Sequence, residues 1–233
     1  LVKPFTIIFL STYGRFPKDN YSVYEKNTKM ITNLLNSIEN KFVEHFIFFS
    51  STCLYGRPPK SIPISEALEC VPNGYYGLSK YVSEKFLRLK LACPISIIRI
   101  PGVYGKFDNN KSIVSLFIKK IISNEKIILY DNGSVLRDYV FIKDIIEVTE
   151  YIIEKSIDIL LNIATGKSLS LVNIISLLES HVKKKAFIID VDSGHEQFDM
   201  TFNIDYLKNF MPHFKPCIIE DGVREYISET NIL

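Results

Sequence analysis

Short apolar runs alternate with longer amphipathic segments along the first hundred residues of the chain. Three runs, at 7–10, 46–49 and 95–100, are short and apolar, and each predicts a buried strand. Between them, apolar positions recur at helical spacing over 21–38 and 75–91. Apolar strands that alternate with helices are typical of a parallel sheet covered by helices on both faces. The sequence therefore predicts an α/β fold with a doubly wound parallel sheet.

The pattern changes after residue 105, where the predicted elements are shorter. Hydrophobic spacing there predicts helices at 113–122, 142–154, 169–182 and, more weakly, 218–227, and strands at 127–129, 159–163 and 186–191. We expect one domain to comprise 1–103 and 138–164, and a smaller α/β domain to comprise 104–137 and 165–233.

Small residues mark the ends of the first three predicted strands. In chain order these ends carry Ser11 and Thr12, then Ser50 and Ser51, then Pro101 and Gly102. The carboxyl ends of parallel strands face one crevice, and ligands of open α/β sheets bind there. We therefore expect these strand ends to line a ligand-binding site.

The spacing Tyr-x-x-x-Lys occurs four times, at Tyr76/Lys80, Tyr81/Lys85, Tyr139/Lys143 and Tyr151/Lys155. By itself the spacing predicts only two side chains one turn apart on a helix surface. The first pair differs from the others because it begins a predicted helix and follows the strand-end serines at 50–51. We predict that Tyr76 and Lys80 share one helix face beside those serines.

This set of side chains is suited to moving a proton. A phenol has a pKa near 10, and a neighbouring ammonium favours its ionised form. Lowering that pKa by about 3 units requires roughly 4 kcal/mol. Two partly desolvated cations, Lys80 and a positively charged ring bound beside it, can supply this, whereas a solvent-exposed pair could not. We expect Ser51 to hold a ligand hydroxyl against Tyr76 while Lys80 acidifies the phenol. The plainer alternative, a strand-end turn beside an ordinary half-buried tyrosine, stays open at this point.

Composition narrows the class of protein. The chain of 233 residues is 47% hydrophobic, which is typical of a globular protein, and no apolar stretch reaches the length of about 18 residues needed to span a bilayer. A net charge of +2 gives no support for a nucleic-acid partner. The four cysteines lack Cys-x-x-Cys spacing and the four histidines lie far apart, so we expect no metal site. We predict a cytoplasmic protein that binds neither nucleic acid nor a membrane.

Several segments carry a resemblance to a known family. They are Phe48–Gly56, Tyr75–Lys80, Arg99–Gly105, Gly133–Val140 and Leu161–Gly166. On these segments, from about residue 5 to the C-terminus, the chain resembles the extended short-chain dehydrogenase/reductases, specifically the NAD-dependent nucleotide-sugar epimerases and dehydratases. The resemblance implies a Rossmann-type NAD-binding domain followed by a small substrate-binding domain. It also implies a nicotinamide that exchanges a hydride with the substrate while the tyrosine exchanges a proton.

The resemblance also implies roles for individual residues. The catalytic set would be Ser51, Tyr76 and Lys80, with Ser51 also touching the substrate. Besides Tyr76 and Lys80, the implied cofactor contacts are Leu10, Ser11, Asn27, Ser50 and Pro101. Arg137 would bind the diphosphate of a nucleotide-diphosphate sugar, which suits the fork of a guanidinium. Many members of the family form a homodimer, which here would use the helices at 21–38 and 75–91.

The beginning of the chain departs from the family pattern. The family opens with a glycine-rich turn between a strand and a helix, which grips the cofactor pyrophosphate. This chain has only 10 glycines, no such array, and Leu1 where a complete chain would begin with methionine. We therefore expect an N-terminally truncated fragment with an incomplete Rossmann sheet, which would bind NAD weakly and be inactive alone.

The residues after Ser51 bear on the reaction. In the dehydratase branch an Asp-Glu pair occupies the positions that are Thr52 and Cys53 here, which argues against 4,6-dehydration. The leading hypothesis is the C-terminal catalytic portion of an NAD-dependent nucleotide-sugar 4-epimerase. An NADPH-dependent nucleotide-sugar 4-ketoreductase is the alternative, since the missing segment is where NADP would be distinguished from NAD. A truncated, non-catalytic remnant is the third.

Overall fold

The structure is a computed structural model that describes residues 3–108, 111–194 and 196–230. Leu1, on which the expectation of a truncated chain partly depends, lies outside the described residues. The strands are β1 (Phe5–Phe9), β2 (Val43–Ser51), β3 (Ile95–Ile100), β4 (Gly102–Tyr104), β5 (Lys126–Tyr130), β6 (Leu136–Arg137), β7 (Tyr139–Phe141), β8 (Ile159–Asn162), β9 (Leu169–Ser170) and β10 (Phe187–Val191). The helices are α1 (Tyr21–Ser37), α2 (Tyr75–Lys90), α3 (Ile113–Ile122), α4 (Ile142–Lys155), α5 (Leu171–Val182), α6 (Asp205–Phe210) and α7 (Ile219–Thr230).

The chain divides into two compact units. The first comprises Leu1–Ser61, Ser65–Pro101 and Val148–Ile163, and the second comprises Ile62–Ile64, Gly102–Glu147 and Ala164–Leu233. Residues 138–147, which the sequence led us to place in the first domain, belong to the second unit. The division of roles into a cofactor-binding and a substrate-binding domain stays a prediction.

The first unit contains a four-stranded sheet in the order β1-β2-β3-β8, and every strand pair is parallel. This confirms the prediction of an α/β fold with a parallel sheet. In the register of this sheet Phe9 lies beside Phe48, and Ser51 lies beside Ile100. The carboxyl ends of β1, β2 and β3 therefore meet at one edge, as expected from the alternation of strands and helices.

Apolar stripes of α1 and α2 pack against one face of this sheet. The cluster on that face includes Ile31 of α1, Phe46 and Phe48 of β2, Leu87 of α2 and Ile97 of β3, all at most 1% exposed. Burying side chains of this size from water stabilises the unit by about 1.5–3 kcal/mol each. The apolar positions at helical spacing in α1 and α2 thus make contacts inside the unit. A homodimer through the same two helices stays a prediction.

The prediction that the first strand is buried was wrong. In β1 the side chains of Phe5 and Ile8 are 39% and 42% exposed, and Leu10 just after the strand is 61% exposed. The physical reason is position, because β1 is an edge strand that pairs only with β2 among the described residues. An apolar run therefore identified the strand correctly without revealing its place in the sheet.

The second unit is built from two-stranded pairs and helices around one core. β10 pairs with β5 and β4 with β7 in parallel, and β6 pairs with β9 antiparallel. The core cluster draws its buried side chains mainly from α3, α5 and α7. The sequence did not predict β4, β6, β7 and β9, because strands of two or three residues are too short to show a period.

Gly222 of α7 packs so closely against this core that there is no room for a side chain. A Cβ at Gly222 would lie 2.0 Å from Oη of Tyr104, a residue that is fully buried. We expect Gly222→Ala to lower the free energy of unfolding by about 1–3 kcal/mol through overpacking, although alanine is the better helix former. Urea denaturation would measure this. Gly14→Ala is the matched control, because a Cβ there meets nothing within 4 Å. A stabilised Gly222→Ala variant would show that the contact is absent.

Candidate active site

The end of β2 fixes the first residue of the site. Ser51 is the last residue of β2 and caps a 3₁₀ turn over Thr52–Tyr55, with extended backbone angles of −147° and 150°. Its Oγ accepts a hydrogen bond of 3.2 Å from the backbone N–H of Cys53. Because the side chain is only 7% exposed and bonded to the turn, the Ser51 hydroxyl has a defined position at the sheet edge.

The beginning of α2 brings Tyr76 to that hydroxyl. Its backbone N–H donates to Oδ1 of Asp19 at 2.9 Å, which satisfies one of the donors left open at a helix start. The next residue, Gly77, lets the helix approach the turn closely, since a Cβ there would lie 2.6 Å from the carbonyl oxygen of Cys53. The phenol of Tyr76 then lies beside the hydroxyls of Thr12 and Ser51, and each of these hydroxyls acts to lower its pKa.

Lys80 completes the cluster one turn further along α2. Its side chain is buried, and Nζ donates a 2.8 Å hydrogen bond to the carbonyl oxygen of Phe49. Nζ lies 5.9 Å from the ring centroid of Tyr76. Burial lowers the pKa of Lys80 to about 8, against the opposing effect of the Glu84 carboxylate. Ser51, Tyr76 and Lys80 therefore come together in one cluster of the first unit.

The other three Tyr-x-x-x-Lys pairs have a different environment. Lys85, Lys143 and Lys155 are all exposed, whereas Lys80 is 4% exposed. Lys85 and Lys155 lie over the rings of Tyr81 and Tyr151, with Nζ 5.1 Å from each centroid, as expected for neighbours on a helix surface. Burial thus singles out the pair that the strand-end serines singled out in the sequence.

Burial dominates the environment of the Tyr76 phenol in the chain alone. Burial raises its pKa above the usual value, and the opposing effects of the Thr12 hydrogen bond, the Arg15 charge and the Ser51 hydrogen bond do not reverse this. The nearby cation that acts on the phenol is Arg15, whose Nη1 lies 3.3 Å from Sγ of Cys53. Desolvation therefore outweighs positive charge at this phenol.

The predicted cofactor contacts at the sheet edge fall into two groups. Leu10 and Ser11 are exposed directly after β1, and Pro101 is half-buried directly after β3. Ser50 is instead turned into the unit, where its hydroxyl donates a 2.5 Å hydrogen bond to Oε1 of Glu84. The only hydrogen of the Ser50 hydroxyl is therefore used inside the protein.

Asn27 of α1 is also used internally. Its Nδ2 donates to the carbonyl oxygen of Tyr13 and to Oγ of Ser79, both at 3.1 Å. Its Oδ1 accepts from the backbone N–H of Tyr13 at 2.6 Å and from Oγ1 of Thr12 at 3.4 Å. These four bonds use both donors and both acceptor positions of the amide. Asn27 therefore positions the loop after β1, including Thr12 beside the phenol, and a direct cofactor contact stays a prediction.

Arg137 lies in the second unit, at the end of β6. Its Nη1 donates to the carbonyl oxygens of Leu136 at 2.8 Å and Phe198 at 2.5 Å, and its guanidinium carbon lies 5.0 Å from the Phe198 ring centroid. The next residue, Asp138, is buried and accepts hydrogen bonds from the backbone of Thr165 and Gly166. The turn that presents Arg137 is thus fixed, and its role towards a diphosphate stays a prediction.

A buried polar network behind the cluster was missed by sequence reasoning. Glu84 and Arg99 form an ion pair of 2.7 Å, and Arg99 Nη1 also donates to Oη of Tyr55 at 2.9 Å. The Tyr55 hydroxyl in turn donates to Oδ1 of Asn162 at 2.8 Å. Two signals could have revealed the network: Glu84 lies four residues after Lys80, and Arg99 is a charge inside the apolar run 95–100.

The described residues contain no group of three or more His, Cys, Asp or Glu side chains that could hold a metal ion. None of the helices in the described part of the chain is both long and apolar enough to cross a lipid bilayer.

Comparison with known proteins identifies the family. The model of the NAD-dependent epimerase/dehydratase family matches residues 2–164 of this chain. This match covers more than half of the chain and includes Ser51, Tyr76 and Lys80. The chain belongs to the NAD-dependent epimerase/dehydratase family.

Individual relatives agree with this membership. A Methanocaldococcus jannaschii protein provisionally named a UDP-glucose 4-epimerase is 28% identical over 204 residues, covering 84% of this chain and 66% of that protein. An Escherichia coli dTDP-4-dehydro-6-deoxyglucose reductase is 28% identical over 202 residues, covering 82% of this chain and 63% of that protein. The chain thus spans just under two thirds of the length of these relatives.

A solved structure confirms the fold. The UDP-glucose 4-epimerase of Thermus thermophilus, solved in complex with NAD, matches with a TM-score of 0.84 over 98% of this chain and 78% of that chain. The sequence identity is 19%, so the match shows a shared fold. It agrees with the prediction of a Rossmann-type α/β architecture.

Proposed function

We propose that this chain carries the catalytic residues of an NAD-dependent nucleotide-sugar 4-epimerase. The observation that carries the proposal is the cluster of Ser51, Tyr76 and a buried Lys80 at the carboxyl edge of the sheet. Family membership and a relative named for 4-epimerisation support it.

The residues of the first unit fit the nicotinamide half of NAD. Lys80 holds a buried ammonium at the sheet edge, and its bond to the Phe49 carbonyl uses one of three N–H donors. The remaining donors and the Tyr76 phenol are suited to the hydroxyls of a ribose. When bound, NAD would supply a hydride acceptor and donor for the sugar carbon.

The chain's own residues would manage the proton. Ser51 would hold the sugar hydroxyl, since its Oγ is fixed at the strand end and lies close enough to the phenol to act on its pKa. Tyr76 would take the hydroxyl proton and later return it. Because burial raises the pKa of Tyr76, the phenol keeps its proton at neutral pH unless more positive charge comes close. Proton removal by Tyr76 is therefore coupled to the arrival of a cationic ligand.

The substrate class follows from the same considerations. A nucleotide-diphosphate sugar would place its reacting hydroxyl at Ser51 and Tyr76, and we propose that Arg137 binds its diphosphate. Thr52 and Cys53 supply no carboxylate beside Ser51, so the acid–base pair that 4,6-dehydration needs is lacking at these positions. This favours reactions that change the sugar only at one carbon.

A second candidate is an NADPH-dependent nucleotide-sugar 4-ketoreductase. The similarity of the chain to the Escherichia coli reductase supports this function. The same three residues would serve, because reduction of a ketone needs a proton donor and a hydroxyl that orients the oxygen.

Incubation of the native protein with a nucleotide sugar separates the two functions. We expect UDP-glucose with catalytic NAD to give its C4 epimer, observed by proton NMR, without net loss of NAD. Stoichiometric consumption of NADPH with a 4-keto sugar nucleotide would show the reductase instead. Absence of turnover with both substrates and both cofactors would contradict the proposed function.

A further inference from the structure

The first unit buries an ion pair directly behind the proposed proton-transfer site. The side chains of Glu84 and Arg99 are each 5% exposed. Arg99 donates from Nη2 to Oε2 of Glu84 at 2.7 Å and from Nε to Oε1 at 3.1 Å, which is a bidentate pair. Oε1 also accepts the Ser50 hydroxyl, so both carboxylate oxygens are bonded. Each carboxylate oxygen of Glu84 and each guanidinium nitrogen of Arg99 therefore has a partner within the protein.

Glu84 belongs to the same face of α2 as two site residues. Tyr76, Lys80 and Glu84 follow one another at intervals of four, so they form one stripe along the helix. Each contacts the end of β2: Tyr76 contacts the Ser51 hydroxyl, Lys80 the carbonyl of residue 49, and Glu84 the hydroxyl of residue 50. Three turns of one helix are therefore tied to three consecutive strand residues.

Arg99 ties the same carboxylate to the rest of the sheet. It lies beside Ser50 in the register of β2 and β3. Its Nη1 reaches Tyr55 of the turn after Ser51, which in turn bonds Asn162 at the end of β8. Burying two ions costs desolvation energy, and an apolar pair of the same size is often as stable. Stability alone therefore does not explain an ion pair at this place.

We propose that Glu84 and Arg99 are a positioning pair that keeps Lys80 charged and holds the strand end at 49–51 in place against Tyr76. The inference rests on the proposed function, because it assigns the pair to that same site. Arg99 holds the Glu84 carboxylate rigidly against Ser50, and the carboxylate provides the compensating negative charge for the buried ammonium one turn away.

The proposal predicts the direction in which the pKa of Lys80 changes when the charge of Glu84 is removed. The groups that act on its ammonium are Glu84 on α2 and Cys53 on the turn, with the ring of Tyr76 5.9 Å away. Burial lowers the pKa of Lys80 to about 8, and Glu84 opposes that effect. Removing the Glu84 charge must lower the pKa further. A lysine is cationic below its pKa, so any property that needs the ammonium would then be lost at a lower pH.

The test is Glu84→Gln in the native protein, with two readouts. NMR titration of the Lys80 ε-carbon should show a pKa lower by about one unit or more, and the alkaline limb of turnover should move down equally, with about tenfold less activity above it. Arg88→Gln is the matched control. Arg88 lies on α2, as Glu84 does, but its ion pair with Asp158 is exposed. The control should leave both readouts unchanged.

A second variant guards against loss of the fold. Glu84→Gln leaves Arg99 buried without its partner, whereas Glu84→Gln with Arg99→Gln removes both charges and should fold. If the pKa of Lys80 in this folded double variant equals the wild-type value, the pair is only structural and the proposal is overturned. The NMR titration needs no substrate, so it decides the proposal even if turnover fails and the proposed function with it.

Discussion

Replacement of Tyr76 by phenylalanine should lower nucleotide-sugar turnover by about 10²-fold or more, since general acid–base groups contribute on that scale. The substitution removes one hydroxyl, which lies beside the Ser51 and Thr12 hydroxyls at the sheet edge. The ring remains, so the packing of the first turn of α2 should persist. We expect an unchanged thermal transition and a cofactor that still binds, with the loss mainly in kcat. Steady-state kinetics and a binding titration would measure these quantities.

Tyr81→Phe is the matched control for this prediction. Tyr81 belongs to the same helix and also precedes a lysine by four residues, but that lysine, Lys85, is exposed. We expect turnover by this variant to stay close to the wild-type value. Equal rates for Tyr76→Phe and Tyr81→Phe would remove Tyr76 from the proton-transfer step.

Replacement of Arg99 by methionine should lower the free energy of unfolding by about 3–5 kcal/mol, because breaking a buried ion pair leaves the partner charge unpaired. Glu84 would keep a hydrogen bond from Ser50 but lose both bonds from the guanidinium. Tyr55 would lose the hydrogen bond that Arg99 donates to its hydroxyl. Urea denaturation followed by circular dichroism would measure the loss.

Two control variants test whether the loss of stability comes from the buried ion pair. Arg88→Met breaks an exposed ion pair between α2 and Asp158 and should cost about 1 kcal/mol or less. Glu84→Gln combined with Arg99→Met removes both buried charges and should recover most of the loss. A loss near 1 kcal/mol for Arg99→Met alone would mean that water or a rearranged side chain compensates Glu84.

Most long elements of the fold could be predicted from hydrophobic spacing. The strand at 95–100 and the helix at 113–122 occur with the predicted bounds, and α1, α2, α4 and α5 are within a few residues of theirs. These elements bury a continuous stripe or face, so their period is visible along the chain. Exposure of β1 and the short strands of the second unit could not be predicted, because they depend on which strands are neighbours.

Only those residues of the candidate site that leave a local pattern in the sequence could be predicted. Ser51, Tyr76 and Lys80 were found because a strand end and a helix start each leave a local signature in the sequence. Local signals mark Glu84 and Arg99 one by one, but their pairing joins residues on different elements and so depends on the tertiary structure. The pKa of Tyr76 depends on burial from all sides, which no local pattern in the sequence reveals.

The central claim is that Tyr76 and Ser51 together hold the reacting hydroxyl of a sugar. A crystal structure of the native protein with NAD and a nucleotide sugar tests it most directly. We expect a sugar hydroxyl within about 3.2 Å of both Oη of Tyr76 and Oγ of Ser51, the range in which a proton can be transferred. A sugar bound with every hydroxyl beyond the reach of both oxygens would contradict it.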